Sequence, residues 1–293
     1  MLTAESVTAF QSRVRKLGAR RFPSWQIVLG SGFGDALDKL PPSGGWAARG
    51  EFAFREIPGL AATTTPDHRG KFQLWEHGAS GCSVLFQLGR LHGYEGLSAR
   101  QATGAVMAGR LAGIERFLLT NAAGGLTAAQ RPGDVVILRD HVNLTGQNPL
   151  VGPNPTGPGG EPLGPRFPDL STTYHRPWRE SLGTSLRGRG LRVQEGIYLG
   201  LLGPSFETPA EIQLFASWGL HAVGMSTVWE AIALRHSGAR LAALSLISNA
   251  ASGLGDGAPL DHGAILATCR ANAERIVAGI FDWLLALEAE ESK

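Results

Sequence analysis

Three short blocks between residues 195 and 253 carry the side chains with most chemistry to offer. Gly203-Pro204-Ser205-Phe206-Glu207-Thr208, Val223-Gly224-Met225-Ser226-Thr227 and Ile247-Ser248-Asn249-Ala250 each place small or polar residues after a short apolar run. In an α/β protein that position is the carboxyl end of a strand, where ligands bind. Glu207, Ser226 and Asn249 would bring a carboxylate, a hydroxyl and an amide to one pocket, a set suited to a polar heterocycle linked to an anion. A carboxylate beside an aromatic ring, as in Phe206-Glu207, can accept purine N–H groups while the ring stacks. Each residue also has a plain structural reading. Glu207 can be an acid near the start of a helix at Thr208-Pro209, Ser226 or Thr227 a helix N-cap, and Asn249 a turn former.

The anion would be met by residues earlier in the chain. Leu29-Gly30-Ser31-Gly32-Phe33-Gly34 follows a strand-like run, and its glycines let backbone N–H groups turn toward an anion while Ser31 adds a hydroxyl. No Gly-Lys-Ser/Thr follows, so it is not a P-loop, and the spacing misses the dinucleotide fingerprint. A ligand-free tight turn remains open. Arg90 ends the run 84–88, where a guanidinium can fork onto phosphate oxygens, and His92 and Tyr94 follow at alternate positions. Asp67-His68-Arg69-Gly70 adds a second histidine. Thr120-Asn121-Ala122-Ala123-Gly124-Gly125 offers small residues for close approach of a ligand to backbone, or merely a strand-to-loop turn.

Those residues need a scaffold. A chain of 293 residues with 43% hydrophobic content can bury a sizeable core, and 40 glycines and 17 prolines indicate many turns rather than a helical bundle. Apolar runs at 25–29, 84–88, 117–119, 135–138, 197–202, 222–223 and 241–247 read as buried strands. Helical patterns at 99–111, 209–218 and 228–237 alternate with several of them, and residues 1–21 read as an amphipathic helix. Ile265, Cys269, Ile276, Ile280, Trp283 and Leu287 mark the apolar face of a C-terminal helix. The alternation predicts an α/β fold with a largely parallel sheet. Residues 148–168 are dense in Gly and Pro and form either a linker or a long functional loop.

The composition excludes several classes. A net charge of +2 leaves no electrostatic footprint for nucleic acid. No apolar run approaches a membrane span, and no secretion signal is evident, so a cytoplasmic protein is expected. Cys82 and Cys269 read as buried thiols, and no zinc spacing is present.

Taken in order, these motifs resemble the trimeric, low-molecular-mass purine nucleoside phosphorylases. The likeness runs through Gly30-Ser31-Gly32-Phe33-Gly34, His68 with Gly70, Gly89-Arg90-Leu91-His92-Gly93-Tyr94-Glu95-Gly96 and Thr120 to Leu126. It continues through Arg139 to Leu144, Gly146 to Leu150, Gly203 to Thr208 and Val223 to Thr227. Any one block is weak; the ordered set is specific and covers nearly the whole chain. The resemblance implies a single domain over 1–293 with a central mixed sheet flanked by helices, a homotrimer, and a pentosyltransferase. That enzyme would convert a 6-oxopurine (deoxy)ribonucleoside and phosphate into free base and pentose 1-phosphate, in purine salvage or catabolism, with no metal or organic cofactor.

By position, the resemblance implies that Ser31, His68, Arg90, His92, the backbone at Ala122 and Ser226 hold phosphate. Tyr94 and Met225 would line the ribose, with His262 at its 5′-hydroxyl. Tyr198 and Phe206 would pack on the base, and Glu207 and Asn249 would read its edge. His92, Glu207 and Asn249 are the expected catalytic residues. Phe167 would enter the neighbouring subunit's site, which makes 148–168 an active-site and interface loop. Asn249, where the related methylthioadenosine phosphorylases carry Asp, favours inosine and guanosine. Asp67 and Arg69 around His68, Trp229 in place of a common Pro, and Ala250-Ala251 depart from the usual pattern, and none removes a group the chemistry requires. A xanthosine-preferring or methylthioadenosine enzyme is the alternative within the class, and a purine-binding protein without turnover is the alternative outside it.

Overall fold

The computed structural model describes residues 2–39, 44–65, 68–254 and 262–291. Nine strands form one mixed sheet: β1 (Trp25–Leu29), β2 (Trp46–Ala53), β3 (Lys71–His77), β4 (Ser83–Leu88), β5 (Arg116–Gly125), β6 (Val135–Asn143), β7 (Val193–Gly200), β8 (Ala222–Gly224) and β9 (Arg240–Ala250). Their order is β2-β3-β4-β1-β5-β8-β7-β6-β9, and β9 pairs again with β5. The last five strands therefore close on themselves into a small barrel, which the α/β alternation did not foretell. Strands β4, β1, β5 and β9 run parallel through the middle, whereas β2, β3 and β4 form an antiparallel wing.

Period-two alternation sends the strands' side chains to two cores. Val28, Phe117 and Leu119 join Phe10, Val106 and Ile232 on one face, where α1 (Ala4–Lys16), α4 (Gly104–Leu111) and α7 (Val228–His236) pack. Ile27, Leu29 and Leu118 point the other way, toward Trp178, Trp283 and Phe281. That face is covered by α2 (Gly34–Lys39), α5 (Arg176–Gly188) and α8 (His262–Glu291). The apolar stripe expected on the last helix, from Ile265 to Leu287, is buried throughout. Gln26 and Gln87 are buried on adjacent strands, and Gln26 Nε2 donates to Gln87 Oε1 at 2.8 Å.

The helix expected over 99–111 is two: α3 (Ala99–Ala102) and α4. The Thr103 hydroxyl bonds back to the Arg100 carbonyl at 3.0 Å, and the chain restarts at Gly104. The remaining helix, α6 (Pro209–Ser217), is capped by Thr208. Between β6 and α5, the Gly/Pro-dense segment is tied to the domain rather than strung between two. The Arg100 guanidinium donates to the carbonyls of Pro149, Val151 and Pro153, and Arg166 donates to that of Leu150. Cys82 and Cys269 are buried free thiols, each pushed up to about 12 chiefly by burial. Among the described residues no helix is long and apolar enough to cross a membrane.

One irregularity bears on the site. Along β5 and β9, Ala123 pairs with Ile247 but Gly124 pairs with Asn249, so Ser248 is an extra residue in β9. Such a bulge re-aims the side chains that follow it.

Candidate active site

A cleft of about 500 Å³ opens at the carboxyl ends of the parallel strands. Its anion half is built from strand ends that grip one another. Arg90, just past β4, is 2% exposed. Its Nη1 donates to the Thr120 carbonyl at 2.7 Å, and its Nη2 meets Glu230 Oε2 at 3.1 Å. The Thr120 hydroxyl in turn donates to the Val28 carbonyl. Only glycine fits beside this fork, because a Cβ at Gly30 would lie 2.8 Å from Arg90 Nη1. Ser31 turns into the cleft, and its hydroxyl lies 3.1 Å from His68 Nε2. His68, His92 and Tyr94 stack in a column, with ring centroids 4.9 and 4.5 Å apart.

Glu95 ties this half together. It accepts from the His92 backbone at 2.8 Å and contacts His92 Nδ1 at 3.1 Å, and it accepts from the Thr64 amide and hydroxyl. Burial works to raise its pKa, but the hydrogen bonds from His92 and Thr64 outweigh it and hold Glu95 far below the usual carboxylate range. Burial first, then the neighbouring His92, drops His68 to about 3, and burial likewise lowers His92.

At the cleft floor, Met225 and Ser226 follow β8. The Ser226 amide donates to the Tyr198 hydroxyl at 3.3 Å. Neither Ser226 nor Thr227 caps α7 with its side chain: their hydroxyls lie 3.0 Å apart, and Thr227 Oγ1 accepts from Asn121 Nδ2. Thr227 sits at φ +73, a strained conformation for a β-branched residue.

The other half, where the sequence predicts a base, holds Phe206, Glu207, Val223, Gly224, Ser248 and Asn249. Burial and then Glu211 raise the Glu207 pKa. Asn249 follows the bulge. Its Oδ1 lies 2.7 Å from the Ser248 hydroxyl, and its Nδ2 donates to the Ala250 carbonyl at 2.8 Å. The amide is thereby oriented while keeping one N–H and one lone pair free of these contacts.

Ser31, Arg90, His92, Tyr94, Ala122, Phe206, Glu207, Met225, Ser226 and Asn249 therefore share one cleft. His68 stands directly behind Ser31. Tyr198 does not line the cleft: it is wholly buried in β7, beneath the Ser226 amide, with its hydroxyl pushed up to about 12 by burial. The expectation that Tyr198 packs on a base gives way to a supporting position, because its strand register turns the ring inward. Phe167 is 88% exposed and away from this cleft. His262 begins α8, but its side chain, like Asp67, lies outside the described residues. Arg69 turns away from His68 to Asp35 and Asp38, and Trp229 donates to the Thr145 hydroxyl at 2.8 Å. Glu95, Thr64, Thr65, Asn121 and Glu230 were not singled out in sequence. Glu95 offered one signal, its place three residues after His92, while Glu230 reads as an ordinary first-turn helix acid.

The family model for the phosphorylase superfamily matches residues 56–282. Purine nucleoside phosphorylase 1 of Geobacillus stearothermophilus is 39% identical over 246 residues, spanning 84% of this chain and 85% of the relative. Two solved structures of Schistosoma mansoni purine nucleoside phosphorylase, in complex with inosine and with adenosine, are 31% and 30% identical. Each superposes with a TM-score of 0.79 over 96% of both chains. The cleft thus lies in a chain that belongs to the phosphorylase superfamily, among its purine nucleoside phosphorylases, enzymes of the glycosyltransferase type.

Proposed function

We propose that this enzyme phosphorolyses 6-oxopurine ribo- and deoxyribonucleosides. One observation carries the reading: a donor-rich anion half and an aromatic–carboxylate–amide half face each other across a single cleft. In this reading Ser31, His68, Arg90, His92, the Ala122 backbone and Ser226 hold phosphate, Tyr94, Met225 and His262 border the ribose, and Phe206 stacks on the base. A phosphate oxygen attacks C1′ as the glycosidic bond breaks, and its electron pair passes to the purine. Asn249 donates to N7 of the leaving base, and Glu207 accepts from its N1 side. Donors placed where charge develops are usually the largest catalytic term, and holding both substrates together adds proximity. These groups answer each developing charge, so the chemistry calls for no metal or organic cofactor.

The raised pKa of Glu207 follows from burial, which favours a hydrogen-bonded partner for it over bulk water. The homotrimer, with Phe167 entering a neighbour's site, is supported by the exposure of Val151 (74%) and Phe167 (88%) on a loop otherwise bonded to the domain. The unpaired thiols suit a cytoplasmic role in salvage or catabolism.

Hypoxanthine release from inosine, followed with and without phosphate, tests the reaction. Release that ignores phosphate means a hydrolase, and no release from any purine nucleoside means a binding protein. Because the Schistosoma relative is also seen with adenosine, acceptance of 6-aminopurines is the second reading. A panel of inosine, guanosine, xanthosine and adenosine at saturating phosphate separates the two. Asn249→Asp is expected to raise the adenosine-to-inosine ratio, and an unchanged ratio overturns the specificity argument. Sedimentation measures the trimer, and Phe167→Ala should raise nucleoside KM.

A further inference from the structure

We infer that Glu230 is a positioning residue that sets phosphate affinity, both by fixing the Arg90 guanidinium and by balancing its charge; this rests on the phosphorolysis reading. Arg90 is the only lysine or arginine among the described residues lining the cleft. Its single ion-pair partner there is Glu230, at 3.1 Å, and the two side chains are 2% and 5% exposed. The Arg90 Nε is buried and has no hydrogen-bond partner among the described residues, so the Thr120 carbonyl and Glu230 alone aim the fork.

Burial lowers the pKa of both nearby histidines and so disfavours cationic charge on them. With Glu230 opposing Arg90 and the Glu95 carboxylate beside His92, the anion half carries many donors but no excess of positive charge. An anion is then held by directed hydrogen bonds rather than by a bare cation, and a planar guanidinium serves this only when its plane is fixed. Glu230 reaches the fork from the first turn of α7, four residues after Ser226, so one helix start supplies both a cleft hydroxyl and the brace behind the arginine. Its other side borders a small cavity of about 20 Å³, room for a water, so a shortened side chain need not collapse the packing.

Two substitutions separate position from charge. Glu230→Gln keeps the length and an acceptor but unmasks Arg90. The KM for phosphate should fall roughly threefold or more, because an unbalanced charge at low effective dielectric attracts the anion. Glu230→Asp keeps the charge but withdraws it by one methylene, and the KM for phosphate should rise roughly threefold or more as the fork loosens. Nucleoside KM at saturating phosphate should stay within about twofold in both. The same order should appear in Kd when inorganic phosphate is titrated calorimetrically into each protein, an assay independent of turnover. Phosphate constants within twofold of wild type in both variants, or equal shifts in nucleoside and phosphate KM, overturn the inference and leave Glu230 a structural ion pair. If Glu230→Asp does not fold, the fall in Glu230→Gln decides alone. A wild-type protein with no phosphate-dependent release defeats the phosphorolysis reading instead, while the titration still reports on Glu230.

Discussion

In the anion half of the cleft, His68, Arg90 and His92 are 6%, 2% and 6% exposed; His68 and Arg90 bond to other segments, and His92 is held by Glu95 three residues on and by the stacked ring of His68. In the base half, Phe206 stands 44% exposed, and among the described residues the Asn249 side chain is bonded only to its immediate neighbours Ser248 and Ala250. The first half is assembled by the fold itself: removing a member disturbs buried charge and buried hydrogen bonds. The second is hung on the loop after β7 and on the bulged last residues of β9, where side chains change at little cost to the core. Phosphate is the same in every turnover, whereas the base is what differs between substrates. The rigid half suits the constant ligand and the looser half the variable one.

That contrast breaks most visibly at Arg90. Arg90→Ala should lower turnover roughly 10³-fold through the lost anion donor and should also destabilise the protein by about 3–5 kcal/mol, because Glu230 is left buried and unpaired. Steady-state kinetics and a denaturant melt on the same preparation check both. Asn249→Ala should lower kcat roughly 10²-fold with an unchanged melting temperature, since its bonds are local; a large loss of stability would mean that the base half is as integral as the anion half. Phe206→Ala should raise nucleoside KM roughly tenfold through lost stacking, leaving phosphate KM unchanged.

The smallest effect is in pH dependence. His68 is neutral in the fold with its pKa near 3, but titrates near 6.5 when unfolded. Unfolding therefore takes up a proton between those values, so stability is full above about 6.5 and declines as pH falls toward about 3. His68→Gln should show a shallower fall in Tm between about pH 7 and about pH 4 than wild type, read by differential scanning calorimetry. Parallel slopes would place no burial cost on that histidine.

What the sequence revealed follows the same division of labour. Strands buried on both faces, such as β1 and β4, appear as largely apolar runs, interrupted by Gln26 in one and by Ser83 and Gln87 in the other. The wing strand β2 does not, because half of its residues are exposed and the short run Trp46-Ala47-Ala48 gives way at once to Arg49-Gly50-Glu51. Helix α5 hides for a related reason: Trp178, Leu182 and Leu186 bury a narrow stripe in a segment otherwise rich in Arg, Ser and Gly. Barrel closure depends on β9 meeting both β5 and β6, a pairing between distant strands that no local pattern encodes. At the site, residues at strand ends were legible because small and polar types interrupt apolar runs. Tyr198 was misplaced because a tyrosine within a strand gives no sign of which face it takes. Glu230 is not legible in sequence because burial, not spacing, distinguishes it from any acid in a first helical turn.

The extra residue at Ser248 makes Asn249 a matter of parity. Side chains alternate along a strand, so deleting that one residue would turn the amide to the opposite face, whereas adding or removing two would restore its direction. If Asn249 reads the base as proposed, recognition is re-addressed by changing the length of β9 as well as by changing its letters. A library of insertions and deletions around residues 246–250 should sort active from inactive members by odd and even count.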